Sequence, residues 1–125
     1  MCGITGIIHL DGTQVTESKI ERFNNSQAHR GPDGSGVSFQ KNASVALGHR
    51  RLSILDLTEQ GSQPMSFADG ALEMVFNGEI FNFIELKQEL MTLGYSFKSE
   101  TDSEVVMAAY HKWGEDCLAR FNGMW

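Results

Sequence analysis

The stretch MCGITGII (residues 1–8) decides how this chain is interpreted, because a cysteine directly follows the initiator methionine and glycine follows the cysteine. Removal of Met1 is chemically permitted when the second residue is small. It would leave Cys2 with a thiol nucleophile and a free α-amine, whose pKa of ~7.7–8.0 suits it to take up the thiol proton. The alternative is a small residue that starts a buried strand. This stretch alone does not choose between them.

Composition bounds the class of protein. The chain has 125 residues, 41% hydrophobic and 21% charged, which is typical of one globular domain. A net charge of −6 argues against a general nucleic-acid binder. No apolar run approaches the ~20 residues of a membrane span, and Asp11 and Gly12 interrupt the start too early for a secretory signal. With only Cys2 and Cys117, no disulfide framework is expected, so we predict a cytoplasmic protein with reduced thiols.

Hydrophobic periodicity and turn residues predict short strands alternating with helices. GITGII (3–8) is expected to be a strand buried on both faces. Further strands are predicted at 36–40, 44–49, 72–76 and 95–99, and NGMW (122–125) is expected to enter another strand.

Capping residues mark the predicted helices. Thr16 is expected to cap a helix over 16–29. Asn82, with Glu85 three residues later, is expected to cap a helix over 82–94, which should end on Gly94 in a left-handed conformation. Thr101 and Glu104 form a T-x-x-E capping box before a helix over 103–113, which Gly114 ends. A short last helix is predicted over 115–121.

Four further stretches have residue patterns that secondary structure alone does not explain: HRGPDGSG (29–36), GHRRLSILD (48–56), FNGEIFN (76–82) and ETDSEV (100–105). Together with MCGI they resemble the glutamine amidotransferases of the amino-terminal-nucleophile hydrolase class. Within that class, HRGPD and RLSILD are similar to the glutamine-hydrolysing asparagine synthetases. The resemblance runs from Met1 to Trp125.

The resemblance implies roles for particular residues. Cys2 would be the nucleophile and, through its amine, the base, while the Asn77 side-chain amide and the Gly78 backbone N–H would form the oxyanion hole. Arg51 would hold the α-carboxylate of glutamine in a bidentate pair, and Asp102 would receive its α-ammonium group. Two further sets complete the expected pocket: Glu79 at the same end of the substrate, and the backbone carbonyls of Ile54 and Leu55.

Each motif also has a purely structural explanation. Asn77-Gly78 is a common hairpin turn, Asp102 could assist Thr101 in capping, and an exposed Arg50 would be a solvated side chain. HRGPD could be a rigid turn in which Gly31 and Gly34 take positive φ. We do not assign catalytic roles to His29 or Arg30. Cys117 is expected in the core, and the remaining histidines show no zinc-ligand spacing with either cysteine: His9, His49 and His111.

The implied fold is α+β, with two antiparallel sheets stacked face to face and helices outside, incomplete in this chain. Residues 1–125 would be a C-terminally truncated glutaminase domain that needs no cofactor and no metal. A second domain, joined in cis, would use ATP and magnesium to activate aspartate and would receive the ammonia. L-Glutamine is the expected partner, with no nucleic acid or membrane, and the resemblance allows a homodimer. The alternatives are the same chemistry with another acceptor, such as a cell-surface sugar or a peptide natural product, or a non-catalytic glutamine-binding domain.

Overall fold

The computed structural model describes residues 1–54 and 58–125, where helices and short antiparallel strands alternate. The strands are β1 (Gly3–Ile8), β2 (Gly34–Gln40), β3 (Val45–Arg51), β4 (Met65–Phe67), β5 (Leu72–Met74), β6 (Glu79–Ile80) and β7 (Gly123–Met124). The helices are α1 (Glu17–Asn25), α2 (Phe83–Thr92) and α3 (Asp102–Trp113), with 3₁₀ helices at Glu59–Gly61 and Gly114–Arg120. The predicted α+β class is confirmed. Within the described ranges, no helix is long and apolar enough to span a membrane.

The described residues group into two compact units. The first contains Met1–Ile54, Ser62–Pro64 and Met74–Asn77, and the second contains the remaining described residues.

The first unit is a three-stranded antiparallel sheet in the order β1-β3-β2, with α1 packed on one face. Its core is small: Val15, Ile20 and Ala46 are buried together. Asn24 of α1 adds a polar anchor, because its side-chain amide donates to the carbonyls of Gly36 and His49 at 3.2 Å each. The helix is therefore tied to β2 and β3 by hydrogen bonds as well as by apolar packing.

Strand β1 differs from its prediction, since it is not buried on both faces. Its burial alternates along the chain: Gly3 and Thr5 are buried, whereas Ile4 and Ile8 are 45% and 63% exposed. The physical reason is the two-residue period of a strand, which turns Gly3 and Thr5 towards α1 and Ile4 and Ile8 away from it. An apolar run without alternation does not reveal which residues of β1 remain exposed.

The HRGPD loop also departs from expectation, because neither Gly31 nor Gly34 is among the residues with positive φ. Gly31 is required for a close approach instead: a Cβ there would collide with the backbone carbonyl of Arg50. Arg50 is half-buried rather than solvated, and its Nε donates to the Gly31 carbonyl at 3.2 Å. This loop is thus clamped against the end of β3.

In the second unit, the capping box at α3 is half confirmed. The Thr101 hydroxyl accepts from the Glu104 N–H at 3.3 Å, as predicted. The Glu104 carboxylate does not accept from the Thr101 N–H, as it would in a capping box. It accepts instead from the backbone N–H groups of Lys98 and Ser99 at 3.0 and 2.7 Å. Those bonds hold residues 95–99 in an irregular conformation, so the strand predicted there is not formed.

The other two predicted N-caps are confirmed in position only. Thr16 and Asn82 are the N-cap residues of α1 and α2, but neither side chain makes a capping hydrogen bond. The amide of Asn82 instead donates to the Arg120 carbonyl at 3.0 Å and accepts from the Asn122 N–H at 2.9 Å. It therefore fastens the start of α2 to the chain entering β7. The helix ends are better predicted: Gly94 and Gly114 take positive φ of 94° and 58°.

Candidate active site

Cys2 directly precedes β1 and lies beside Leu52, the residue that follows β3. Its side chain is half-buried. The Sγ atom accepts from the Leu52 N–H at 3.4 Å and lies 3.7 Å from the Leu52 carbonyl oxygen, to which the thiol donates. The Arg30 guanidinium donates from Nε to the Cys2 carbonyl at 3.1 Å, so this arginine supports the Cys2 backbone. The thiol is held next to the R-L-S-I motif, although about fifty residues separate them along the chain.

Strand register places Cys2 and Arg51 on one face of the sheet. Gly3 pairs with Arg50, and a Cβ on Gly3 or Gly48 would meet Gln27 or Asn24 on the α1 side. Because side chains alternate along the chain here, Cys2, which directly precedes β1, and Ile4 face the opposite side, as do residues 47, 49 and 51 of β3. The thiol and the guanidinium therefore share the face that α1 leaves free.

The HRGPDGSG loop holds the backbone of this corner. The Asp33 N–H donates to the Arg51 carbonyl at 2.9 Å, and the Asp33 carboxylate accepts from the Ser53 N–H at 2.8 Å. Arg51 itself is half-buried and makes a further interaction. The loop thus orients the strand end that carries Arg51.

The segment 74–77, which ends on Asn77, belongs to the same unit. Its Phe76 N–H donates to the Gln63 side-chain oxygen at 2.6 Å. Gln63 in turn lies against β2, since a Cβ on Gly36 would collide with its backbone carbonyl. Asn77-Gly78 is not a hairpin turn, because β5 pairs with β4 and β6 pairs with β7, and neither residue has the positive φ of a type I′ turn. The hairpin explanation is excluded.

His49 occupies a buried position on the face shared by Cys2 and Arg51. Its side chain is 1% exposed, and neither ring nitrogen has a hydrogen-bond partner among the described residues. Burial lowers the pKa of His49, and the Arg51 charge lowers it further, while a backbone acceptor of Phe76 opposes both. The imidazole is consequently neutral at pH 7.

In the second unit, Asp102 is the first residue of α3 and is 6% exposed. Its carboxylate accepts from the Ile80 N–H at 3.0 Å, so it points to β6 rather than simply assisting the Thr101 cap. Burial raises the pKa of Asp102 above its usual value, and the negative charge of Glu79 adds to the shift. A positively charged group of a ligand would offset the free-energy cost of burying the Asp102 carboxylate.

Glu79 is exposed on β6, whose position β7 determines. Glu79 pairs with Met124 and Ile80 with Gly123. A Cβ on Gly123 would collide with the Glu79 carbonyl, so the two strands approach as closely as only glycine allows. The last described residues therefore support the N-G-E motif.

The predicted site residues are divided between the two units. Cys2, Arg51 and Asn77 lie in the first, together with Ile54, which is 74% exposed. Gly78, Glu79 and Asp102 lie in the second, and Leu55 lies outside the described residues. Three further residues of this region were not predicted to belong to the site: Leu52, Gln63 and His49. Only Leu52 carried a signal, its place directly after Arg51.

Cys117, the second thiol, is core as expected. It is 1% exposed, and burial raises its pKa, which keeps the thiol protonated and unreactive. In the described part of the chain, no group of three acidic, histidine or cysteine side chains is arranged to hold a metal ion.

These features define a class: the chain belongs to the glutamine amidotransferase domain family, whose sequence profile matches residues 1–125. Among its curated relatives, a protein of Methanocaldococcus jannaschii named putative glutamine-hydrolyzing asparagine synthetase 2 is 42% identical over 141 residues, covering 100% of this chain and 27% of the relative. Glutamine-hydrolyzing asparagine synthetase 1 of Bacillus subtilis is 40% identical over 127 residues, covering 99% of this chain and 20% of the relative. Amidase chry2 of Gibberella zeae is 34% identical over 134 residues, covering 98% and 20%.

The chain thus spans between a fifth and just over a quarter of the length of these relatives. The family resemblance inferred from the five motifs is confirmed.

Proposed function

We propose that this chain is the glutaminase part of a glutamine-hydrolysing asparagine synthetase, and that it converts L-glutamine into glutamate and ammonia. The observation that carries the proposal is the contact of the Cys2 thiol with Leu52, directly beside Arg51, in a chain that the amidotransferase family covers from end to end. A nucleophile next to a carboxylate-binding guanidinium is what hydrolysis of a free amino acid requires.

The proposed reaction begins after removal of Met1. The freed amine of Cys2 takes the thiol proton, and the thiolate attacks the side-chain amide carbon of glutamine. The Asn77 side-chain N–H and the Gly78 backbone N–H stabilise the oxyanion that develops. The C–N bond then breaks, the ammonium group of Cys2 returns its proton to the leaving nitrogen, and ammonia departs. Water hydrolyses the resulting thioester, which releases glutamate and restores the thiol.

Recognition of the substrate follows from its charges. Arg51 would bind the α-carboxylate through two parallel hydrogen bonds, and Asp102, with Glu79, would bind the α-ammonium group. Burial of Asp102 supports this assignment, because a buried carboxylate gains more from a cation than an exposed one does. The backbone carbonyls of Ile54 and Leu55 would line the same pocket.

The acceptor is proposed from the names of the relatives. Ammonia would pass to an aspartate whose carboxylate a second domain activates with ATP and magnesium, in the reducing cytoplasm. No step of glutamine hydrolysis is assigned to that nucleotide or metal.

An electrophilic glutamine analogue tests the proposal directly. We expect stoichiometric modification of Cys2, located by peptide mass spectrometry, because the pocket selects a free amino acid and presents the thiol to its side chain. Arg51→Ala should strongly reduce labelling at a fixed analogue concentration, since the carboxylate loses its partner. Arg22→Ala, an exposed arginine on α1, is the matched control and should label normally. Labelling mainly at Cys117 would contradict the proposal.

The raised pKa of Asp102 predicts how glutamine affinity depends on pH. As pH falls through that raised pKa, the carboxylate takes up a proton and loses its attraction for the ammonium group, so KM for glutamine should rise. Asp102→Asn keeps the acceptor for the Ile80 N–H but removes the charge. It should raise KM about 10- to 100-fold at pH 7 and abolish this pH dependence.

The same variant should not be less stable in the absence of glutamine. A carboxyl group whose folded pKa is raised stabilises the fold at low pH, and this contribution is lost as pH rises through that pKa. At pH 7 the neutral amide therefore avoids a buried charge. Asp69→Asn, at an exposed carboxylate, is the control for both measurements. A KM for Asp102→Asn that matches the wild type at pH 7 would remove Asp102 from the ammonium site.

A further inference from the structure

His49 is a fully buried polar side chain that neither the fold nor the proposed reaction uses. Its ring is 1% exposed and both nitrogens lack a hydrogen-bond partner among the described residues. Leaving a buried polar group unpaired destabilises the fold relative to an apolar residue of similar size. Retention of a histidine here therefore needs a reason other than packing.

The surroundings of His49 point to the reacting groups. The ring lies on the face of β3 that also carries Arg51, opposite α1, and its register partner on β1 is Ile4, two residues from Cys2. The charge of Arg51 acts on the imidazole, and so does a backbone acceptor of Phe76. Gly36, the register partner of His49 on β2, lies against the Gln63 backbone carbonyl, and the Gln63 side chain holds the Phe76 N–H, so the segment with Phe76 lies on the same face of the sheet as the ring.

Phe76 is the residue before Asn77, and its N–H is already held by Gln63 at 2.6 Å. The N–H of Phe76 is therefore restrained, and its carbonyl belongs to the peptide that leads directly to Asn77. Hydrogen bonds at enzyme sites often lengthen in the free protein and tighten with substrate bound. A ring N–H closing on this carbonyl would fix the peptide that links Phe76 to Asn77.

We propose that His49 is a positioning residue of the amidotransferase site, whose ring N–H bonds the Phe76 carbonyl when glutamine binds and so orients the Asn77 amide towards the oxyanion. The inference rests on the proposed function, because it gives His49 a part in that reaction. His49 does not contact the reacting atoms and does not transfer a proton; it acts through Asn77.

Four variants of the full polypeptide test this role. His49→Leu and His49→Phe remove both ring nitrogens but keep apolar bulk, and His49→Asn and His49→Gln retain a side-chain N–H donor at the reach of one or the other nitrogen. Activity is measured as kcat and KM for glutamine hydrolysis per folded molecule. Affinity is measured by calorimetry with the same substitutions in a Cys2→Ala background.

The apolar variants should lower kcat about 10- to 100-fold, the loss expected when a catalytic donor is misplaced by about an ångström. Their glutamine affinity should stay within about threefold of the parent, and their Tm should match or exceed it, since the His49 ring makes no hydrogen bond to any of the described residues. At least one amide variant should recover most of kcat.

Thr5→Val is the matched control, because Thr5 is also buried in this sheet but faces α1, where its hydroxyl bonds Asn24. It should lower Tm and leave kcat unchanged. Wild-type kcat in both apolar variants would overturn the proposal, as would parallel losses of kcat, affinity and Tm, or amide variants no better than leucine. If the wild type itself does not hydrolyse glutamine, the proposed function has failed instead.

Discussion

Cys2→Ala is expected to reduce glutamine hydrolysis by at least about 10³-fold, the largest effect of any single substitution in this chain. Without the sulfur no thioester forms, and the remaining donors can only assist attack by water. Ammonia release from glutamine, measured with the full polypeptide, checks this. Cys117→Ala is the matched control, since that thiol is buried, and it should keep kcat near the wild-type value. Comparable turnover by Cys2→Ala would exclude a covalent mechanism.

The same experiment separates the thiol from the amine. A preparation that retains Met1, identified by intact mass, has the Cys2 thiol but ties its nitrogen in a peptide bond, which removes the proposed base. It should hydrolyse glutamine almost as poorly as Cys2→Ala. Full activity with Met1 retained would mean that another group takes the thiol proton.

Asn77→Ala should lower kcat about 10²- to 10³-fold while changing KM little, because the side-chain amide would meet the oxygen only when it becomes an oxyanion. Steady-state kinetics with glutamine distinguishes the two constants. Gln88→Ala, at an exposed amide of α2, serves as control and should leave both unchanged. An Asn77→Ala variant in which KM rises and kcat is kept would place Asn77 in substrate binding instead.

The pattern of correct and wrong predictions follows from the range of each interaction. Thr101 was predicted to cap α3 and does, because its partner is the N–H of Glu104, three residues away. Asn82 has the same local signature, yet its side chain bonds Arg120 and Asn122, about forty residues further along the chain. A local pattern cannot predict a competing partner that only the folded chain supplies.

Strand β1 shows the same limit for burial. Its apolar run predicted a strand, and the strand is present, but which side would be covered depended on where α1 packs. One explanation of Gly31 was a rigid turn with positive φ, whereas the residue permits a close approach to Arg50. Glycine is required in both cases, so the residue type could not distinguish them.

Sequence alone was enough to infer the candidate nucleophile, the amidotransferase family and the candidate site residues. These inferences depend only on residue identity and on spacing within short motifs. Tertiary structure alone decided that Cys2 lies against Leu52, that Asp102 is buried beneath the Ile80 N–H, and that His49 is enclosed with its nitrogens unpaired. Strand register and desolvation depend on segments distant in the chain, and these set both the positions of the reacting groups and the directions of their pKa shifts.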